Sequence, residues 1–283
     1  MIVKKILILV FSLLLSSAIN YGCSKDDNPA ANNDIAPDYD LEGYTLLWQD
    51  EFDGSKVDPL KWIYEVNGNG GGNNELQYYT DREENSFVKD GALHIVALQE
   101  EFTGSDGKRY YTSARMTTQE TKSFMYGRIE AKLKLPYGQG IWPAFWMLGL
   151  NISEVGWPKC GEIDIMEMIG GGDGRDNVTH GTLHWDDNGH KYQGGNKKIS
   201  SGILADDFHV YAIQWDANKI EWFFDNEPFY SMSITPASMS EFHQHYFIIL
   251  NLAVGGNWPG NPDMTTKWPQ EMIVDYVRVY EKE

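Results

Sequence analysis

Cysteine is nearly missing from this chain of 283 residues, which has only Cys23 and Cys160. A framework of several disulfides is excluded, so an apolar core has to hold the fold. No apolar run is long enough to cross a bilayer, because the best one, over residues 6–15, falls well short of the roughly 20 residues needed. Basic residues are also few: 23 Lys and Arg stand against 41 Asp and Glu, a formal net charge of −18. Such a chain repels nucleic acid and anionic membrane surfaces, and neither is expected as a direct partner. Helical periodicity is nearly absent, which leaves strands to build the molecule.

What is present is a series of short alternating or β-branched runs, over residues 93–98, 128–135, 210–215, 220–224, 247–252 and 273–280. Turn-forming residues separate them, as at 67–74, 170–177 and 255–262. The pattern predicts an all-β chain, a two-sheet antiparallel sandwich in one domain over 42–283. Ahead of it, residues 1–22 read as a signal peptide, with Lys4 and Lys5 followed by a short apolar stretch. Cys23 is the expected processing and lipidation point, and 23–41, rich in Ala, Asn, Pro and Asp, reads as a flexible tether. Export is therefore expected, as an outer-membrane lipoprotein or, failing lipidation, as a secreted protein. The lipid would be the only membrane link. Loss of the first 22 residues removes two lysines and no acids, so the remainder carries 21 minus 41, or −20.

Three carboxylates fall within one strand-like run, Glu162-Ile163-Asp164-Ile165-Met166-Glu167. Ile163 and Ile165 alternate with Glu162 and Asp164, so apolar and acidic residues face opposite sides. A regular strand would then send Glu167 into the core as an unpaired charge, at a cost of several kcal/mol. One extra residue, a β-bulge at Ile165 and Met166, returns Glu167 to the acidic face. Glu162 and Glu167 then lie about 13 Å apart at Cα, at roughly 3.3 Å per residue. Two inward-leaning Glu side chains leave about 5 Å between carboxyls, the spacing of retaining glycosidases. Crowding should make the three titrate as a coupled set in which one keeps its proton. A solvated strand face, or a metal site with oxygen ligands, would show the same pattern, and the neighbouring residues have to decide.

Those neighbours, Gly161 and the run Gly140-Ile141-Trp142-Pro143-Ala144-Phe145-Trp146-Met147-Leu148-Gly149, make the stretch resemble glycoside hydrolase family 16, and within it the bacterial laminarinases. Trp48 to Asp53, Asn73 to Thr80, Thr112 to Arg115, Tyr126 to Arg128 and Val274 to Tyr280 resemble further family segments in the family's order. The resemblance covers residues 42–283 and implies a jelly roll with a concave substrate cleft. It further implies that Glu162 is the nucleophile, Glu167 the acid and then base, and Asp164 the residue that tunes Glu162. The implied activity is a retaining endo-hydrolysis of β-1,3-glucan by a monomer that needs no cofactor for the chemistry. Mixed-linkage glucan, an algal galactan, or binding without cleavage stand as alternatives.

For sugar contacts, Trp142 and Trp146 are four apart and share a strand face, and with Trp258 are expected to stack on glucose. Asn74, Arg115 and His184 are expected near sugar hydroxyls, His184 beside Glu167 or the leaving group. The remaining tryptophans are expected in the core. Cys160 reads as a small buried residue rather than a nucleophile. The resemblance also implies a structural Ca²⁺ far from the chemistry, with Glu51, Gly91 and Asp275 at the matching positions.

Overall fold

The structure is a computed structural model that describes residues 41–283. The expected signal peptide, the lipidation point Cys23 and all but the last residue of the tether lie outside the described residues. The described chain forms two large antiparallel sheets, beside two small two-stranded ones. The first runs His190–Lys198, Val178–Asp186, Glu162–Glu167, Ile141–Gly149, Tyr246–Val254, Arg115–Thr117, Ile63–Tyr64. The second runs Glu227–Ser233, Lys219–Phe224, His209–Trp215, Gly127–Lys134, Gln270–Lys282, Ala92–Ala97, Ser86–Lys89, with Tyr44–Asp50 also paired to Gln270–Lys282. The six runs expected as strands are all strands here, in the antiparallel sandwich the pattern predicted and the jelly roll the resemblance implied.

The reason is visible in the alternation. Ile129, Ala131 and Leu133 point inward from one sheet, and Phe145, Met147, Ile163 and Leu183 from the other, into one shared apolar cluster. Each large side chain buried this way contributes roughly 1.5–3 kcal/mol, and together they replace the missing disulfides. Arg128 and Glu130, on the other face of their strand, are buried too. Their 2.7 Å ion pair, with Arg128 also donating to Asn226 Oδ1, meets the charge that burial would otherwise leave uncompensated. Among the described residues helix is confined to Ile152–Val155 and a 3₁₀ segment, Ala237–Phe242.

Candidate active site

Strand Glu162–Glu167 lies between Ile141–Gly149 and Val178–Asp186. Asp164 pairs with Thr182 and Glu167 with His180, so Ile165 and Met166 together face Gly181. The register against the other neighbour slips at the same place. This is the expected β-bulge, and both of its residues are buried with Ile163 while the carboxylates share the cleft face. At the bulge the buried Trp222 Nε1–H reaches across the sandwich to the Asp164 carbonyl at 2.8 Å. Gly181 makes room, since a Cβ there would collide with the Trp222 indole. Gly161 is needed at the strand entrance because its φ is +73° and a Cβ would strike the Tyr246 hydroxyl.

The carboxylates sit on the floor of a cleft of about 740 Å³, which Arg115, Trp142, Trp146, His184 and Trp258 also line. Trp142 Nε1–H donates to Glu167 Oε1 at 2.9 Å, and its ring meets Trp258 edge-on. Trp146 Nε1–H donates to Asn251 Oδ1 at 2.7 Å, with the Arg115 guanidinium over one face of its ring. Arg115 itself is held by Glu65 at 3.0 Å. Behind this wall Asn251 donates to the Tyr79 hydroxyl, which donates to Glu75, so the polar groups under the cleft are connected. Gly71, Gly72 and Asn73, from the turn segment at 67–74, line the cleft as well.

Electrostatics separates the two glutamates. Burial, then the neighbouring Asp164 charge, pushes Glu162 up to about 8; His184, the Trp157 indole N–H and Arg115 pull the other way. Burial raises Glu167 well above the usual carboxylate range, and the charges of Asp164 and Glu162 add to it. Asp164 is pushed up to about 8, again chiefly by burial. The three cannot all ionise, and the donors and cations cluster around Glu162. A negative charge is best tolerated there, and a retained proton at Glu167.

Several sequence expectations are corrected. His184 lies beside the other glutamate, because the register sets it opposite Glu162: its Nε2 is 3.2 Å from Asp164 Oδ2 and 3.7 Å from Glu162 Oε1. The histidine opposite Glu167 is His180. Asn74 does not line the cleft; at φ +58° its amide donates to Asn257 and ties two loops together. Trp157 is not core. It is 48% exposed, lines the cleft, and donates to Glu162 Oε2 at 2.8 Å. No strand periodicity marked it, whereas Asn251 could have been found as the one polar residue in the apolar run at 247–252. Cys160 is buried, and burial raises its thiol to about 11, so it is inert as a nucleophile.

The register also brings the three positions of the implied Ca²⁺ set together. Asp50 pairs with Val277 and Leu93 with Val274, both on the edge of strand Gln270–Lys282 opposite Gly127–Lys134, so Glu51 and Gly91 meet beside the position of Asp275. Both carboxylates already have cationic partners: Glu51 takes two N–H groups of Arg278, and Asp275 lies 2.7 Å from Lys132 Nζ. A bound ion would have to displace Lys132 from Asp275 to use its carboxylate.

A β-sandwich whose cleft sets two glutamates on one bulged strand, each with an indole donor, under a wall of tryptophans defines a polysaccharide-cleaving glycoside hydrolase. The sequence model of glycosyl hydrolases family 16 matches residues 73–278, and the chain belongs to that family. It is 40% identical over 284 residues to a beta-glucanase of Rhodothermus marinus, with 95% of this chain and 93% of that protein covered. It is 37% identical to glucan endo-1,3-beta-glucosidase A1 of Niallia circulans, over 86% of this chain and 39% of that longer protein. Among solved structures it is similar to the catalytic domain of an endo-1,3-beta-glucanase (laminarinase) from Thermotoga petrophila RKU-1. That match has a TM-score of 0.79 and 43% identity, over 86% of this chain and 100% of the other.

Proposed function

We propose that the protein is a retaining endo-hydrolase of β-1,3-glucans of the laminarin type. The observation that carries this is the placement of Glu162 and Glu167 on one cleft face by the Ile165–Met166 bulge. In the first step Glu162 attacks the anomeric carbon. The glycosidic C–O bond breaks, and Glu167 gives its proton to the departing oxygen. In the second, Glu167 takes a proton from water, which attacks the same carbon and releases Glu162. Asp164, between them, tunes Glu162: its charge raises the Glu162 carboxyl, and His184 lies against both. Apart from the substrate and one water, neither step calls for a cofactor.

A neutral glucan is favoured over a sulfated galactan. Among the described residues Arg115 is the single Lys or Arg lining the cleft, and Glu65 already pairs with it. Product analysis on laminarin, barley β-glucan, agarose and carrageenan tests the specificity, with release of short oligosaccharides fastest from laminarin. Proton NMR should show the β-anomer first. Initial release of the α-anomer would exclude double displacement, and a lack of new reducing ends on all four polymers would leave only glycan binding.

We also infer lipidation at Cys23 and an outer-membrane location for a monomeric enzyme, supported by the sequence of residues 1–27. Cys23→Ala should move the protein from the membrane pellet to the soluble fraction. A structural Ca²⁺ at Glu51, Gly91 and Asp275 is supported by the convergence of those segments. Added Ca²⁺ should then raise Tm and a chelator lower it, and an unchanged Tm argues that Lys132 keeps Asp275.

A further inference from the structure

We propose that Glu162, Asp164 and His184 form a site for one divalent transition-metal ion, best fitted by Zn²⁺, whose occupation closes the catalytic cleft. The three offer one ligand atom each, all within 4.8 Å of one another. Tetrahedral bonds of about 2.0–2.2 Å set neighbouring ligand atoms roughly 3.3 Å apart. The distances from His184 Nε2 to Asp164 Oδ2 and Glu162 Oε1, 3.2 and 3.7 Å, bracket that value. The third pair, between Glu162 and Asp164, lies within 4.8 Å.

The ligand atoms are the uncommitted ones of their residues. Glu162 Oε2 already accepts from the Trp157 indole, which leaves Oε1 facing His184. His184 Nδ1 is engaged with His190 Nε2 at 2.8 Å, and Tyr192 and His190 stack against the His184 ring. When His190 accepts that bond, the lone pair of His184 Nε2 is directed at the two carboxylates, the tautomer a metal requires. Asp164 is 2% exposed, and no hydrogen bond of good geometry reaches its Oδ2. A buried carboxylate oxygen without a donor is the group a cation would stabilise most. The fourth position opens to the cleft, where water completes a tetrahedron, as at zinc sites with three protein ligands.

Charge and donor type point the same way. Two carboxylates and a neutral imidazole neutralise a divalent ion, which in turn removes their mutual repulsion. Ca²⁺ takes six to eight oxygen ligands and Mg²⁺ a near-ideal octahedron, which two carboxylates and an imidazole do not supply, whereas this mixed set suits Zn²⁺, Co²⁺, Ni²⁺ or Cu²⁺. Blocking the cleft as an inhibitor rests on the role proposed for Glu162; the binding itself does not.

The test uses Co²⁺ as a spectroscopic probe of the purified protein, in metal-free buffer. One Co²⁺ per chain should give the intense visible bands of tetrahedral coordination, and Zn²⁺ or a laminarin oligosaccharide should bleach them. Glu162→Gln, which keeps the side-chain shape, and His184→Gln should abolish the bands. His190→Ala, which frees His184 Nδ1 and removes a ring packed on His184 and Trp157, should weaken Co²⁺ about tenfold. Unchanged bands in Glu162→Gln or His184→Gln, or none in the unsubstituted protein, overturn the proposal. Co²⁺ binding by a protein that cleaves no glucan would instead overturn the glucanase reading and leave the metal site standing.

Discussion

Replacing Glu162 by serine is expected to lower turnover of laminarin on the order of 10⁴- to 10⁶-fold, the scale seen when a catalytic nucleophile is removed, while the polymer still binds. Serine cannot reach the anomeric carbon from that position and lacks the activated carboxylate. The covalent intermediate is lost, and water would have to attack without it. Binding depends on other groups. Trp142, Trp146 and Trp258 line the cleft, and the network from Trp146 through Asn251 and Tyr79 to Glu75 does not pass through Glu162. One of three crowded carboxyls also disappears, so the fold should not suffer. Reducing-end assays and titration calorimetry with a laminarin oligosaccharide check both halves. Lost binding with residual turnover would contradict the assigned role.

Glu167→Gln is expected to cost about 10²- to 10⁴-fold on laminarin, the usual worth of a general acid. The loss in the first step should be smaller for an aryl glycoside, whose leaving group departs without a proton. The pH profile should change as well. Unsubstituted protein loses activity as alkaline pH removes the proton Glu167 must donate, and the Gln variant has no such proton, so that limb should flatten. Stability gives a second readout. The unfolded chain ionises its carboxyls near the usual carboxylate range, whereas the folded cluster, with Glu162 and Asp164 raised to about 8, holds its protons longer. The folded state thus binds more protons, and stability falls as pH rises through that window. The variant removes one contributor to this penalty. Its Tm should equal that of the unsubstituted protein near pH 4 and exceed it near pH 8, by about 2–4 °C for each kcal/mol recovered. A lower Tm at pH 8 would mean that Glu167 is stabilised as a carboxylate.

Much of this site could be read along the chain because strand chemistry is local. The alternation of Ile163 and Ile165 with two acids, and the need to return Glu167 to their side, were enough to require the bulge. The spacing of Trp142 and Trp146 was likewise enough to put both rings on one face. Partnerships across strands were harder. His184 was expected near Glu167, yet antiparallel register sets it opposite Glu162, a relation between strands some 20 residues apart. Trp157 carries no periodic signal, and only the path of the chain after Gly149 swings its indole onto Glu162. Asn74 looked like a sugar ligand because amides bind hydroxyls, but its positive φ turns it toward Asn257.

The scarcities in the chain's composition were therefore informative in a limited way. With almost no cysteine, little helical pattern and few basic residues, the chain had to be an acidic β-sandwich held by its core, and the order of its residues alone required one bulged strand with three carboxylates on one face. Which glutamate tolerates a charge and which keeps a proton was decided only in three dimensions. That assignment depends on Trp157, His184, Arg115 and Trp142, brought in from other segments, and on burial, which sets how strongly each neighbour is felt. Electrostatic interaction follows distance through the folded molecule and solvent exclusion, and neither is written in the spacing of residues along the chain.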